Sequence, residues 1–224
     1  MLTNVIFDMD GVVVDSHAAH MRTWKTFLRH LGKPVSEADL LFVRQGRRKQ
    51  DILRFFLGEL TDDQIQAYCH IKDVLFRNEV QGIQALPGVR ELLEDLRRAG
   101  VPIALASCGG NARVHDLLSR LRLREYFTVV VTGDEVRLGK PDPEIFHKAA
   151  RQMRVHPAES IVFEDSVSGI QGAKAAGMKC VGIADRQLTP SLMQAGAAYV
   201  LPNFTGLSWI SVQKLFALST KLPQ

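Results

Sequence analysis

Two aspartates with one residue between them, Asp8 and Asp10, follow directly on the apolar run Val5-Ile6-Phe7. Ser107 stands in the same relation to Ile103-Ala104-Leu105-Ala106, and the pair Glu164-Asp165 to Ile161-Val162-Phe163. Lys140 lies in Gly139-Lys140-Pro141-Asp142-Pro143, a segment that opens a helix. If the three runs are strands of one parallel sheet, the groups behind them meet on one rim, where such sheets bind ligands. Four carboxylates so placed repel one another unless a cation neutralises them, and a hard, all-oxygen site suits Mg2+. A metal, a lysine, a hydroxyl and free helix N-termini together form a receptor for a phosphate dianion. There Asp8 can attack phosphorus once Mg2+ and Lys140 cancel the repulsion between two anions, giving an aspartyl-phosphate. Asp10 is near enough to protonate the leaving oxygen and then to deprotonate an incoming water or hydroxyl.

The elements that must position these groups are visible as an alternation of Val/Ile-rich runs, polar turns and segments of helical period, the pattern of a parallel α/β sheet. Strands are predicted at 3–7, 102–106, 129–132, 160–163 and 180–183, with a weaker one at 198–201, and helices at 89–99, 112–121, 143–153 and 167–176. Gly100 and Gly177 follow two of the helices where a left-handed residue ends them. From Asp15 to about Ala85 the alternation stops and helix follows helix. Met21, Trp24, Leu28 and Leu31 recur at spacings of three and four, and Thr61 with Gln64 forms a capping box. The expected architecture is a Rossmann-like α/β core, 1–14 and 86–224, with a helical cap at 15–85.

At 224 residues, 46% hydrophobic and 23% charged, the chain can bury a full core with at most one accessory piece, which excludes disorder as its main state. No apolar run approaches the ~18 residues that cross a bilayer, and the opening MLTNVIFDMD lacks the basic start of a signal peptide, so a cytoplasmic protein without membrane contact is expected. Cys69, Cys108 and Cys180 are far apart without a C-x-x-C, against both a zinc ribbon and a disulfide framework. The net charge of +4 is spread along the chain. The densest basic cluster, Arg44, Arg47, Arg48 and Lys49, lacks interleaved aromatic residues, against a nucleic-acid partner. Gly133 to Lys140 has one residue too many between its glycines for a P-loop.

Phe7-Asp8-Met9-Asp10-Gly11-Val12, Ser107, Lys140-Pro141-Asp142-Pro143 and Glu164-Asp165-Ser166, in this order, resemble the four motifs of the haloacid dehalogenase superfamily, and within it the β-phosphoglucomutase-like phosphatases and phosphomutases. The resemblance spans essentially the whole chain. It implies Asp8 as nucleophile, Asp10 as general acid/base and backbone-carbonyl metal ligand, Ser107 and Lys140 as phosphate binders, and Asp165, with Glu164 beside it, as metal site. Aspartate at position 8 implies phosphoryl transfer and not dehalogenation.

On the substrate side the expected residues are Gly11, His20, Trp24, Arg47, Arg48, Lys49, Lys72, Gly109 and Asn111. His20, Trp24 and the hinge partner Lys72 look mutase-like, and Asn111 keeps one distal contact. Gly109 and Gly110, however, stand where the mutase pattern has a serine and a lysine, and Lys49 where it has an arginine that grips phosphate with two parallel bonds. The basic cluster is expected to face the distal end of the substrate, His20 to make a polar contact at the hinge, and His17 to be simply exposed. The expected activity is a Mg2+-dependent phosphatase acting, as a monomer, on a small phosphorylated metabolite such as a sugar phosphate. A β-phosphoglucomutase-type transfer is the alternative; an inactive regulatory domain and a nucleic-acid module are the rivals of other classes.

Overall fold

The structure, a computed structural model, describes residues 2–219. Six parallel strands, β1 (Asn4–Phe7), β2 (Ile103–Ser107), β3 (Val129–Thr132), β4 (Ser160–Glu164), β5 (Lys179–Ile183) and β6 (Tyr199–Leu201), form one sheet in the order β3-β2-β1-β4-β5-β6. A parallel sheet is covered on both faces, so its central strands are unbroken apolar runs. All residues of β1, β2 and β4 are buried accordingly. Phe7 pairs with Leu105 on one side and Phe163 on the other, so Asp8 leaves β1 level with Ala106 and Glu164. Beneath this rim the rings of Phe7 and Phe163 stack at 5.1 Å, and Phe204 meets Phe163 edge-on at 5.1 Å.

Ten α-helices are described: α1 (His17–His30), α2 (Glu37–Leu40), α3 (Lys49–Leu57), α4 (Asp62–Arg77), α5 (Val89–Arg98), α6 (Asn111–Arg120), α7 (Glu144–Met153), α8 (Val167–Ala175), α9 (Thr189–Ala195) and α10 (Trp209–Ser219). Gly100 and Gly177 take φ of 67° and 75° after α5 and α8, as the sequence required. The six strands fall within one residue of their expected bounds; β2 is shifted one residue onward and so includes Ser107. The last two helices, α9 and α10, have no forecast counterpart: in α10 Trp209, Val212 and Phe216 pack on one core cluster at helical spacing, but the exposed Ile210 beside Trp209 blurs that period in the sequence.

Helices α1 to α4 enclose a hydrophobic cluster of their own, with Trp24, Phe27, Leu28, Leu40, Ile52 and Leu53 at its centre. Of the residues at helical spacing in α1, Trp24 and Leu28 enter that cluster, Met21 packs at its edge and Leu31 is exposed. The capping box at Thr61 and Gln64 is formed. The chain leaves and re-enters the sheet through two adjacent strands of backbone: Asp15 N donates to Gln84 O (2.9 Å) and Leu86 N to Val13 O (3.0 Å). This double crossing lets the four helices approach the strand ends where Asp8 stands.

Candidate active site

Lys140 organises the rim. Its side chain is fully buried, and Nζ donates to Asp8 Oδ1 (2.5 Å), to Glu164 Oε1 (2.5 Å) and to Ala106 O (3.3 Å). Burial opposes its charge, but Asp8 and then Glu164 outweigh it and hold the ammonium well above its usual range. Asp8 itself is pushed up, first by burial and then by Glu164, Asp165 and Asp10, with Lys140 acting against them.

Glu164 spends both oxygens on the protein. Oε2 accepts from Ser166 N (2.9 Å) and Ser166 Oγ (2.9 Å), while Oε1 receives Lys140. A Cβ at residue 169 would lie 1.9 Å from its carboxyl carbon, so Gly169 in the first turn of α8 leaves room for this arrangement. Glu164 therefore orients the lysine from below rather than facing the cavity.

Asp10 is held by four contacts. Oδ1 accepts from Ser16 Oγ (2.6 Å) and Arg113 Nη1 (2.8 Å), Oδ2 accepts from Arg113 Nη2 (2.6 Å), and His20 Nε2 lies 3.2 Å from Oδ1. Burial works against the carboxylate, but Arg113 and then His20 outweigh it and keep its pKa well below the usual range. Burial and the nearby Lys72 lower the His20 pKa to about 3, so the imidazole is neutral. Lys72 Nζ donates to Nδ1 (3.1 Å), which leaves the proton on Nε2, directed at Asp10. Lys72 is buried between the Trp24 ring (5.4 Å) and the Phe76 ring (4.6 Å), and burial with Arg113 lowers its pKa to about 7.

Asp165 meets His17 at 2.6 Å, across the open backbone of Gly11, where a Cβ would lie 2.1 Å from His17 Nε2 and 2.4 Å from Asp165 Oδ2. His17 is thus half-buried against a carboxylate and not simply exposed. Burial opposes its protonation, but Asp165 outweighs burial and raises its pKa. The helical start at His17 turns the ring back toward the rim, a direction its neighbours in sequence do not reveal.

These groups open onto one cavity. Asp8, Asp10, Asp165 and Gly109 line its sheet side; His20, Trp24, Arg47, Lys49 and Lys72 line its helical side. Ser107 is buried just behind, its Oγ accepting from Gly109 N (3.1 Å). Cys108 also lines the cavity, with burial raising its thiol to about 11, and all three cysteines are free. Lys49 forms an ion pair with Asp73 of α4. Arg48 turns away: its Nη1 donates to Arg137 O (2.5 Å) and Val136 O (3.4 Å), Nε to Asp51 Oδ2 (3.1 Å) and Nη2 to Asp51 Oδ1 (3.1 Å), because four acceptors stand within its reach on that side. Asn111, at the start of α6, is exposed and donates its backbone N–H to Asp134 Oδ2 (2.7 Å). The cavity does not include either residue.

Arg113 is the participant that the sequence did not disclose. It enters from the first turn of α6, fills the space that a side chain at position 109 would take, and lies 5.3 Å over the Phe76 ring. The available signal was an arginine one helical turn after Gly109-Gly110.

No three His, Cys, Asp or Glu side chains stand together as a metal cluster among the described residues. The donors present still fit Mg2+, which is held by one or two carboxylates and completes its shell with water and substrate phosphate oxygens. Asp8 Oδ2 and Asp165 Oδ1 make no hydrogen bond among the described residues and line the same cavity.

The chain matches the family model of haloacid dehalogenase-like hydrolases over residues 5–183, and it belongs to that family. It is 34% identical to a phosphorylated carbohydrates phosphatase of Thermotoga maritima over 204 residues, 89% of this chain and 94% of the relative. It is 31% identical to the β-phosphoglucomutase of Bacillus subtilis over 192 residues, covering 82% and 84%. The crystal structure of β-phosphoglucomutase from Clostridium difficile superposes with a TM-score of 0.88 at 23% identity, covering 98% and 99% of the two chains. Within the family this is a β-phosphoglucomutase-like member, an enzyme of phosphate-ester hydrolysis or phosphoryl transfer. Among the described residues no helix is long and apolar enough to cross a membrane.

Proposed function

We propose that this enzyme hydrolyses a small phosphorylated metabolite, a sugar phosphate by preference, through an aspartyl-phosphate on Asp8. The observation that carries the reading is the buried ammonium of Lys140 against Asp8, beside a carboxylate oxygen with no hydrogen-bond partner among the described residues. Asp8 and Asp165, with the backbone carbonyl of Asp10, would hold Mg2+, whose charge offsets the repulsion between the phosphoryl oxygens and the carboxylates.

Asp8 attacks phosphorus while Lys140 and Ser107 receive the phosphoryl oxygens. Asp10, once it has taken up a proton from solvent, gives that proton to the leaving oxygen as the P–O bond to the sugar breaks. Water then attacks the aspartyl-phosphate, Asp10 takes the proton back, and inorganic phosphate leaves with Asp8 restored. Neutral His20, fixed by Lys72, steers Asp10 in both steps. Helices α1 to α4 act as a cap that shuts bulk water out during the first step.

Leaving-group dependence tests the role of Asp10. The variant Asp10→Ala is expected to lose at least about tenfold more rate on sugar phosphates than on an aryl phosphate, whose oxygen leaves without a proton. Equal losses on both, measured as kcat/KM, would remove Asp10 from the acid role.

A phosphomutase is the second reading, favoured by the guanidiniums of Arg47 and Arg113 on the cavity wall. Hydrolysis is preferred because Lys49 is engaged by Asp73, and Gly109 and Gly110 offer no side-chain donors. With β-glucose 1-phosphate, a trace of glucose 1,6-bisphosphate and Mg2+, steady phosphate release is expected. Rapid glucose 6-phosphate formation without matching phosphate release would overturn the choice, and a wider screen of phosphorylated metabolites would then identify the substrate of either activity.

A further inference from the structure

The mechanism above leaves Arg113 in a paradoxical position. Its side chain is 9% exposed, and its two terminal nitrogens grip the two oxygens of Asp10 at 2.8 and 2.6 Å. A carboxyl that delivers a proton to the leaving oxygen needs one oxygen free of donors. Oδ1 already accepts from Ser16 and Arg113, and Oδ2 from Arg113. The guanidinium must therefore withdraw from Oδ2 before Asp10 can act.

The local backbone supports a dedicated place for it. Gly109 lies outside the left-handed region, so its conformation does not call for glycine; what its missing side chain supplies is space, since a Cβ would stand 2.0 Å from Arg113 Nη2. Another anion can draw a guanidinium off a carboxylate, because charge-assisted, bidentate bonds of similar strength replace the ones lost. The transferring phosphoryl group faces Asp8 and Lys140, so it is a different group of the substrate that Arg113 can meet. Arg44 and Arg47 line the same cavity, and neither is in an ion pair among the described residues. The wall thus has more cationic groups than the transferring phosphate requires.

We propose that Arg113 determines substrate specificity: it exchanges its two bonds to Asp10 for a second anionic group on the substrate. A phosphate ester that carries such a group, a second phosphate or a carboxylate, both binds more tightly and releases Asp10 for proton transfer. An ester without one leaves Asp10 latched for more of the time and turns over more slowly. The turnover half of this inference rests on the phosphoryl-transfer reading; the binding half does not.

A matched pair of probes isolates the effect. 6-Phosphogluconate and glucitol 6-phosphate differ in a terminal carboxylate against a neutral hydroxymethyl group. With Mg2+ present, the unaltered enzyme is expected to prefer the carboxylate by at least about tenfold in kcat/KM. Arg113→Ala should reduce that preference to within about threefold, and Arg113→Lys should keep part of it, since a lysine retains charge without the fork. Gly109→Ala should act like Arg113→Ala without altering any charge, because its methyl group displaces the guanidinium; it decides the matter if Arg113→Ala fails to fold. The same comparison by calorimetry in an Asp8→Asn background reads affinity without turnover. A preference that survives both Arg113→Ala and Gly109→Ala, or that is absent from the unaltered enzyme, overturns the proposal. Loss of the binding preference in an enzyme that releases phosphate from neither ester would instead sink the phosphoryl-transfer reading and leave the assignment of Arg113 standing.

Discussion

Asp8→Asn is expected to abolish phosphate release, by a factor on the order of 10^4 or more, while the protein folds as before. The amide keeps the shape of the carboxylate and still offers Lys140 a carbonyl oxygen in place of Oδ1, so the buried ammonium keeps an acceptor on both sides. It removes the attacking charge, and replacing a nucleophile costs an enzyme most of its acceleration over water. Stability should be preserved because burial and three neighbouring carboxylates already press on the Asp8 charge. Removing it relieves that repulsion while costing one ion-pair contact. Phosphate release assayed alongside thermal unfolding checks both halves, and turnover near the original rate in a folded variant would remove Asp8 from the chemistry.

The part of this site visible in the sequence is the part fixed by strands. Asp8, Ser107 and Glu164 sit at or just beyond the last residues of β1, β2 and β4, and apolar runs with a polar successor locate such positions without knowledge of the fold in detail. Parallel register then makes them neighbours. Lys140 was legible as a second positive charge beside the Mg2+ that four clustered acids require, carried by a segment that opens a helix near the same rim. Arg113 and His17 were not, since each sits in the first turn of a helix, and its direction depends on what the other helices leave open. The two glycines at 109 and 110 read as a loss of donors, whereas the space at Gly109 admits a guanidinium from one turn later. Arg48 shows the converse. Its place in a basic cluster suggested a ligand, but four acceptors contributed by Asp51 and the 136–137 backbone hold it elsewhere, two of them distant in sequence.

The second large effect concerns the lysine that joins two of these strands. Lys140→Met would leave Glu164 and Asp8 facing each other without the cation that both touch at 2.5 Å. Breaking a buried ion pair by removing one partner costs about 3–5 kcal/mol, since the remaining charge stays desolvated. For a chain of this size that corresponds to a fall in Tm on the order of 10 °C. Activity should vanish as well, because the phosphoryl oxygens lose a buried cation. Structural and catalytic contributions separate in a double-mutant cycle with Glu164→Gln. Glutamine removes the charge that Lys140→Met strands, so the double variant should be more stable than the sum of the two single losses by about 1–3 kcal/mol, yet remain as inactive as Lys140→Met. Additive losses in denaturant unfolding would mean that Glu164 and Lys140 do not stabilise each other. Recovery of turnover together with stability would mean that the lysine holds the fold and takes no part in receiving phosphate.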